Sequence, residues 1–384
     1  MRDSLPGTTL GIVGGGQLGR MLGEAASPLG VETVVLDPTP DCPAAPPAAD
    51  QIEADFDDQA AIRTLADRVD VLTLEIELAD PDALETVQEA TGTPVHPAPE
   101  DLRVTRDKLR ESDQLDAAGI PVASYRGVES DSDLEAAFEE LGSPLMLKAR
   151  TGGYDGRGNA VVESVAEAES NFESLSGLVA EALVDFEREL SVIGVRGDGE
   201  TGTYPVGENI HEAEILRETL VPARTTDDRM ERATEVAESA LSVFDGRGVF
   251  GIELFETEAG DILLNEVAPR PHNSGHYTIE GTVTSQFEQH VRAVLGLPLG
   301  STDLLAPTAM ANLLGDEGDP REVVLSGTDS VLAMDGIHLH WYGKREVRPL
   351  RKLGHVTTTG PDLSVIHDQV REARDTLRFA GGGD

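Results

Sequence analysis

Cysteine occurs once in the 384 residues, at Cys42, which excludes an internal disulfide and any metal site built from several thiolates. Lysine is almost as scarce: Lys108, Lys148, Lys344 and Lys352 are the only four, and arginine supplies the rest of the 30 basic residues. No stretch approaches the roughly 18 uninterrupted apolar residues that a membrane-spanning helix needs. The opening run from Met1 to Gly7 lacks the apolar segment of a secretory leader. These absences set the expectation of a soluble, cytoplasmic protein. With 39% hydrophobic residues the chain can bury a sizeable core and should divide into two or three domains.

Positive charge is the other shortage. Against the 30 basic residues stand 71 acids, a formal charge of −41. A surface of that sign repels nucleic acid and anionic membranes, so neither is an expected partner. The acids are spread through segments with clear apolar periodicity, which argues against disordered acidic tails. An acidic, lysine-poor surface resembles that of proteins from salt-accumulating halophiles, where salt screens the self-repulsion. Where surface lysines have been stripped away, those that stay are enriched for work an arginine cannot do. Several of the four are therefore expected in the active site.

Apolar strands at 9–13, 32–37 and 71–76 alternate with helical patterns at about 17–29 and 59–69, the signature of a parallel α/β sheet. Residues 94–99 read as a linker, and a single helix is expected over about 102–118. Strands follow at 145–148, 161–162, 180–184 and 188–195, then a helix over 228–243. The stretch 249–267 reads as strand, turn, strand. From 308 onward short strands and turns indicate a small, separate C-terminal unit. The domains are accordingly set at 1–100, 101–305 (with a lid at about 122–184) and 306–384.

Gly14, Gly16 and Gly19 match the spacing G-x-G-x-x-G between a strand and a helix, with Asp37 ending the next strand. Spacing alone leaves open a dinucleotide cofactor, another phosphate ligand or a tight turn. Glu75 and Glu77 end the strand 71–76, and alternation puts both on one face. Four glycines among residues 152–158 make a flap able to fold over phosphates, with Lys148 as a point charge close upstream. It lacks the G-x-x-x-x-G-K-[ST] spacing of a P-loop. If the hairpin 249–267 turns at Ala259-Gly260, Glu253 and Glu266 lie opposite each other, a repulsive arrangement unless a cation bridges them. Hard oxygen donors near phosphate suit Mg²⁺. Arg270, His272, Asn273 and His276 follow directly, a cluster suited to phosphate or carbonate oxygens. Between Trp341 and Lys352, five basic residues face one acid, a positive island fit for a ribose phosphate.

The runs GGGQLGRM (14–21), TLEIE (73–77), GGYDGRG (152–158), NEVAPRPHNSGH (265–276), SQFEQHVRAVLGLPLG (285–300) and WYGKREVRPLRKLGH (341–355) occur in one order. Together they resemble the carboxyaminoimidazole ribonucleotide synthases, a family of ATP-grasp enzymes, over about residues 9–355. The resemblance implies an ATP-grasp fold with an N-terminal Rossmann-like domain and a small β-rich C-terminal domain. It implies carboxylation of 5-aminoimidazole ribonucleotide with ATP and bicarbonate, two Mg²⁺ ions on Glu253 and Glu266, and a homodimer. ATP contacts would come from Arg106 or Lys108, Lys148, the lid residues Gly153, Tyr154, Asp155, Gly156, Arg157 and Gly158, the segment Glu181, Ala182, Leu183 and Val184, and Glu189, His211, Asn265 and Glu266. Gly16, Gln17, Leu18, Glu75, Asn273, Lys344, Arg351 and Lys352 would hold the ribonucleotide. Asp155, Arg270, His272 and Lys344 would carry the chemistry.

The sequence departs from the family pattern at Asp107-Lys108, where arginine usually follows the aspartate, and at Ser112, where a lysine is usual. Leu78 and Ala79 also replace the usual residues after Glu77. The alternatives are a formate-dependent glycinamide ribonucleotide transformylase, against which the block 341–355 argues, an NAD-dependent oxidoreductase resting on the first 40 residues, and a nucleotide sensor without turnover.

Overall fold

The computed structural model describes residues 5–152 and 158–379. Its N-terminal part is a four-stranded parallel sheet in the order Asp50–Ile52, Glu32–Leu36, Thr9–Val13, Val71–Leu74. Helices cover both faces, so its strands are short apolar runs buried almost throughout. A second sheet, antiparallel, runs Tyr125–Val128, Leu178–Ala182, Leu145–Ala149, Asn159–Val162. Helix Asp131–Leu141 packs on it, started by the Ser130 hydroxyl, which accepts from the Asp133 N–H.

The third sheet is antiparallel and has nine strands. Its path runs Ile262–Ala268, Gly248–Thr257, Phe186–Arg196, Gly207–Glu212, Ile215–Val221, Thr308–Leu314, Lys352–Thr359, His338–Trp341, with Thr201–Thr203 paired to the side. The C-terminal strands extend the central sheet through the pairing of Ile215–Val221 with Thr308–Leu314. The C-terminal region also contains a 14-residue helix, Leu363–Thr376, in place of strands and turns alone. Its buried Ile366, Val370 and Ala373 recur at helical spacing.

Two further differences concern the site. The helix expected over 102–118 is two helices, Pro99–Thr105 and Lys108–Ala117. Asp107 breaks it: its carboxylate accepts from the N–H groups of Leu109 and Arg110, a cap that competes with helix continuation. The strand at 71 ends at Leu74, so period-two alternation does not place Glu75 and Glu77. Strand Asp50–Ile52 and helices Pro81–Thr91 and Asp131–Leu141 are elements the sequence reading did not anticipate.

The N-terminal sheet is stapled to the rest by buried polar contacts. His290 accepts the Val249 N–H on Nδ1, so its Nε2–H faces the Thr73 hydroxyl at 2.7 Å. Helix Gln17–Ala26 shares one core with helix Gln286–Val294 and with Tyr342. No helix among the described residues is long and apolar enough to cross a membrane.

Glu218 pins the last helix to the sheet. It is 3% exposed and faces His367, Arg371 and Arg374. Burial pushes its carboxyl up, but the Arg371, His367 and Arg374 contacts outweigh that and hold its pKa at about 2. A depressed carboxyl contributes stability at pH above its ordinary value and loses it as pH falls through the folded one. Acid unfolding between pH 4.5 and about 2 should therefore be less steep in Glu218→Gln. That variant should also lose about 2–4 kcal/mol at neutral pH, because Arg371, Arg374 and His367 lose their carboxylate partner. Urea melts at pH 7 and pH 4 measure both effects.

Candidate active site

Glu253 pairs directly with Glu266, but not because the hairpin is symmetrical about Ala259-Gly260. The rungs nearest the turn, Glu256 with Ile262 and Leu254 with Leu264, are centred one half-step earlier. Left uninterrupted, that register would set Glu253 against Asn265. A bulge between Glu253 and Leu254 shifts the pairing by one, brings Glu266 opposite Glu253 and leaves Asn265 as the extra residue. The Asn265 side-chain oxygen then accepts from Lys148 Nζ at 3.2 Å.

The two acids are not equivalent. Lys108 Nζ donates to Glu266 Oε2 at 2.9 Å, and that contact lowers the Glu266 pKa. Lys352 acts on Glu253 more weakly than burial and Glu266 do. Burial first, then the Glu266 charge, raise the Glu253 pKa above the carboxylate range. Among the described residues no group of three or more His, Cys, Asp or Glu is arranged to hold a metal ion. The pair with Asn265 nevertheless fits Mg²⁺, which is commonly held by one or two carboxylates plus substrate phosphates.

Lys108 reaches this centre because it is the first residue of the helix that Asp107 starts. Arg106 turns away and donates to the Ala79 carbonyl, and the Ser112 hydroxyl donates back to the Lys108 carbonyl. Of the two basic candidates, Lys108 is the one that the structure brings beside Glu266. Glu111, one helical turn on, was missed from the sequence. It is buried, and its carboxylate accepts the Val267 N–H at 2.8 Å, directly beside Glu266. Burial raises its pKa to about 8. An acid three residues after a helical lysine was the available signal.

Lys148 is 7% exposed and pairs with Glu181 at 2.7 Å from the adjacent strand. Ala182 and Val184 are half-buried beside it, whereas Leu183 is exposed. Gly153, Tyr154, Asp155, Gly156 and Arg157 lie outside the described residues, and Gly158 closes the loop, its carbonyl accepting from the Ala149 N–H. Glu189 and His211 form a pair at 2.8 Å; burial opposes the imidazolium, but Glu189 outweighs it and the His211 pKa is raised.

The glycine loop at 14–19 does not present a free nest of N–H groups. Glu75 accepts from Gly16 N at 2.7 Å and Gly19 N at 3.1 Å, and Asp37 accepts from Gly15 N at 2.8 Å. Internal carboxylates thus take the place an external phosphate would have, which removes the basis of the dinucleotide reading. The glycines are required by that fit. A Cβ on Gly15 would lie 2.3 Å from Cys42 Sγ, and one on Gly16 2.7 Å from Glu75 Oε1. Gly16 therefore has no backbone donor to spare, and Leu18 is buried in the helix core. Gln17 points outward, and its Oε1 accepts from Lys344 Nζ at 2.6 Å.

The segment after the hairpin is held by Gln286, which accepts the His272 N–H and donates to the His272 carbonyl. Arg270 pairs with Glu77 at 2.8 Å. His272 places Nε2 3.7 Å from Glu253, while burial and then Arg270 push its pKa down to about 3, so it is neutral. Asn273 is buried, and among the described residues neither of its side-chain polar atoms finds a hydrogen-bond partner. Lys344 also donates to the Lys352 carbonyl. The charge of Lys352 acts on Glu253, His211 and His272. Arg351 instead donates to the Glu346 carbonyl.

Three family models match in sequence: the ribonucleotide synthetase preATP-grasp domain over 7–106, the ATP-grasp domain over 113–287 and the phosphoribosylaminoimidazole carboxylase C-terminal domain over 308–369. The N5-carboxyaminoimidazole ribonucleotide synthase of Bacillus subtilis is 42% identical over 355 residues, 92% of this chain and 91% of its own. The N5-carboxyaminoimidazole ribonucleotide synthetase of Thermotoga maritima superposes with a TM-score of 0.89 at 40% identity, over 97% of this chain and 99% of the other. The synthase of Aspergillus clavatus, solved with ADP and 5-aminoimidazole ribonucleotide, gives 0.88 at 36% identity, over 96% and 98%. The chain therefore belongs to the N5-carboxyaminoimidazole ribonucleotide synthase family of the ATP-grasp superfamily.

Proposed function

We propose that this protein carboxylates 5-aminoimidazole ribonucleotide on its 5-amine, using ATP and bicarbonate, in purine biosynthesis. One observation carries the reading beyond the family: polar contacts and chain neighbours link the residues around Glu266 to those around Lys344. Lys148 meets Asn265, beside Glu266; Glu266 faces Glu253; Glu253 faces His272; Arg270 meets Glu77; Glu75 holds Gly16; Gln17 holds Lys344. The first end has buried ammonium groups and paired acids, as a nucleoside triphosphate requires. The second has the positive island suited to a ribose phosphate.

Lys108 and Lys148 would neutralise phosphate oxygens, with Glu181 and Glu266 releasing them as the nucleotide enters. Glu253, Glu266 and Asn265 would hold Mg²⁺, two ions by family resemblance, which when bound screens charge on the transferring phosphoryl group. Bicarbonate oxygen attacks the γ-phosphorus, giving carboxyphosphate and ADP. The amine then attacks the carboxyl carbon and displaces inorganic phosphate, or carboxyphosphate first breaks down to inorganic phosphate and CO₂ and the amine adds to the CO₂; in either case the amine sheds one proton. Arg270 and neutral His272 would orient the carbonate oxygens, Lys344 the amine end, and Asp155 would accept the proton. Asn273, Arg351 and Lys352 would bind the ribonucleotide, and closure of 152–158 would keep water from carboxyphosphate.

A homodimer acting in the cytoplasm completes the proposal, and light scattering in high salt reads the assembly. The activity itself is tested by bicarbonate-dependent ADP release that requires 5-aminoimidazole ribonucleotide; release without that requirement would refute it.

A further inference from the structure

Behind Lys344 lies a column of three imidazoles that the proposed chemistry does not use. His355 is fully buried, stacked between His340 at 4.4 Å and His276 at 4.8 Å between ring centroids. His340 and His355 are direct cross-strand partners, and Glu280 Oε1 anchors His340 Nε2 at 2.8 Å. His276 stands four residues after His272, in the turn Asn273–Tyr277. His355 Nδ1 lies 2.8 Å from the Tyr342 hydroxyl. Tyr342 is 1% exposed, sits in the core shared by helices Gln17–Ala26 and Gln286–Val294, and precedes Lys344 by two residues.

We infer that His355 is a positioning residue for Lys344, acting through the Tyr342 hydroxyl, and that the same ring locks the Arg270–His272 segment to the strand that delivers Lys344. Three features support this. Burial first, and then neighbouring imidazoles, hold His276 and His355 neutral, so the stack does not repel itself. Tyr342 bears on Lys344 directly, because Lys344 Nζ lies 5.8 Å from the Tyr342 ring centroid. A lateral shift of the ring therefore acts on the ammonium itself. Finally, among the described residues the buried His355 Nε2 finds no hydrogen-bond partner, so the Tyr342 hydroxyl is the one hydrogen bond that this ring makes among them.

The inference rests on the proposed role of Lys344, and the test separates the two. Tyr342→Phe and His355→Phe each keep an aromatic ring and remove the hydrogen bond. Each should lower kcat/KM for 5-aminoimidazole ribonucleotide about tenfold while the KM for ATP stays within about twofold, because only one end of the cleft loses its alignment. The double variant should be no worse than either single one, since both remove the same contact. Hydrogen exchange over residues 342–353 should be faster in all three. Additive losses, an equal change in both KM values, or unaltered kcat/KM and exchange would overturn the positioning role. Should the unaltered chain show no turnover with 5-aminoimidazole ribonucleotide, the proposed function falls, and the exchange measurement alone decides whether the hydrogen bond holds the segment.

Discussion

Glu253→Gln is expected to melt roughly 2–5 °C higher than the unaltered chain in metal-free buffer at about pH 8, while losing at least about a hundredfold in turnover. The two effects have one cause. Glu253 and Glu266 face each other across the ladder, and Lys108 neutralises only Glu266. A carboxyl whose pKa is raised in the fold favours the protonated form, so its favourable contribution is present at low pH and lost as pH rises through the folded value. Glutamine keeps the shape of the protonated acid at every pH. The stability gain should therefore shrink as pH falls toward 5 and shrink again when Mg²⁺ and ATP are added to both proteins. Thermal melts across pH with and without Mg-ATP measure it. A variant less stable at pH 8 would show that the pair is not strained without a cation.

Lys148→Met is expected to raise the KM for ATP and cut turnover by at least about a hundredfold, since a buried point charge on the phosphates is lost. It should also destabilise the protein by about 2–4 kcal/mol, because the half-buried Glu181 is left without its partner. Adding Glu181→Gln should restore most of that stability and none of the activity. This separates the phosphate-binding role from the structural one. Recovery of activity in the double variant would mean that Lys148 serves only to balance Glu181.

The sheet alternation of the first 76 residues was legible because parallel strands are short, buried apolar runs set off by glycine and proline. The helix break at Asp107 was not, because a capping aspartate inside a polar amphipathic pattern looks like any surface residue of a helix. The nine-stranded sheet could not be read as one body, since the pairing of Ile215–Val221 with Thr308–Leu314 spans about 90 residues of sequence. At the site, Glu253 opposite Glu266 was inferred from a symmetrical hairpin, whereas a bulge produces it. Bulges leave little local signal in sequence. The glycine fingerprint was visible, but its anion is Glu75 from 59 residues away, a contact no spacing rule contains. The scarcity of lysine served better: the four stand beside other candidate site residues, at Glu266, Glu181, Gln17 and, for Lys352, Glu253 and His272.

The central claim is most directly tested by following ADP release in multimolar KCl with Mg-ATP and bicarbonate, with and without 5-aminoimidazole ribonucleotide, using glycinamide ribonucleotide plus formate as the control pair. The predicted result is turnover that requires 5-aminoimidazole ribonucleotide and disappears in Glu266→Gln. Turnover with the control pair alone, or ATP binding with no turnover on either amine, would contradict it.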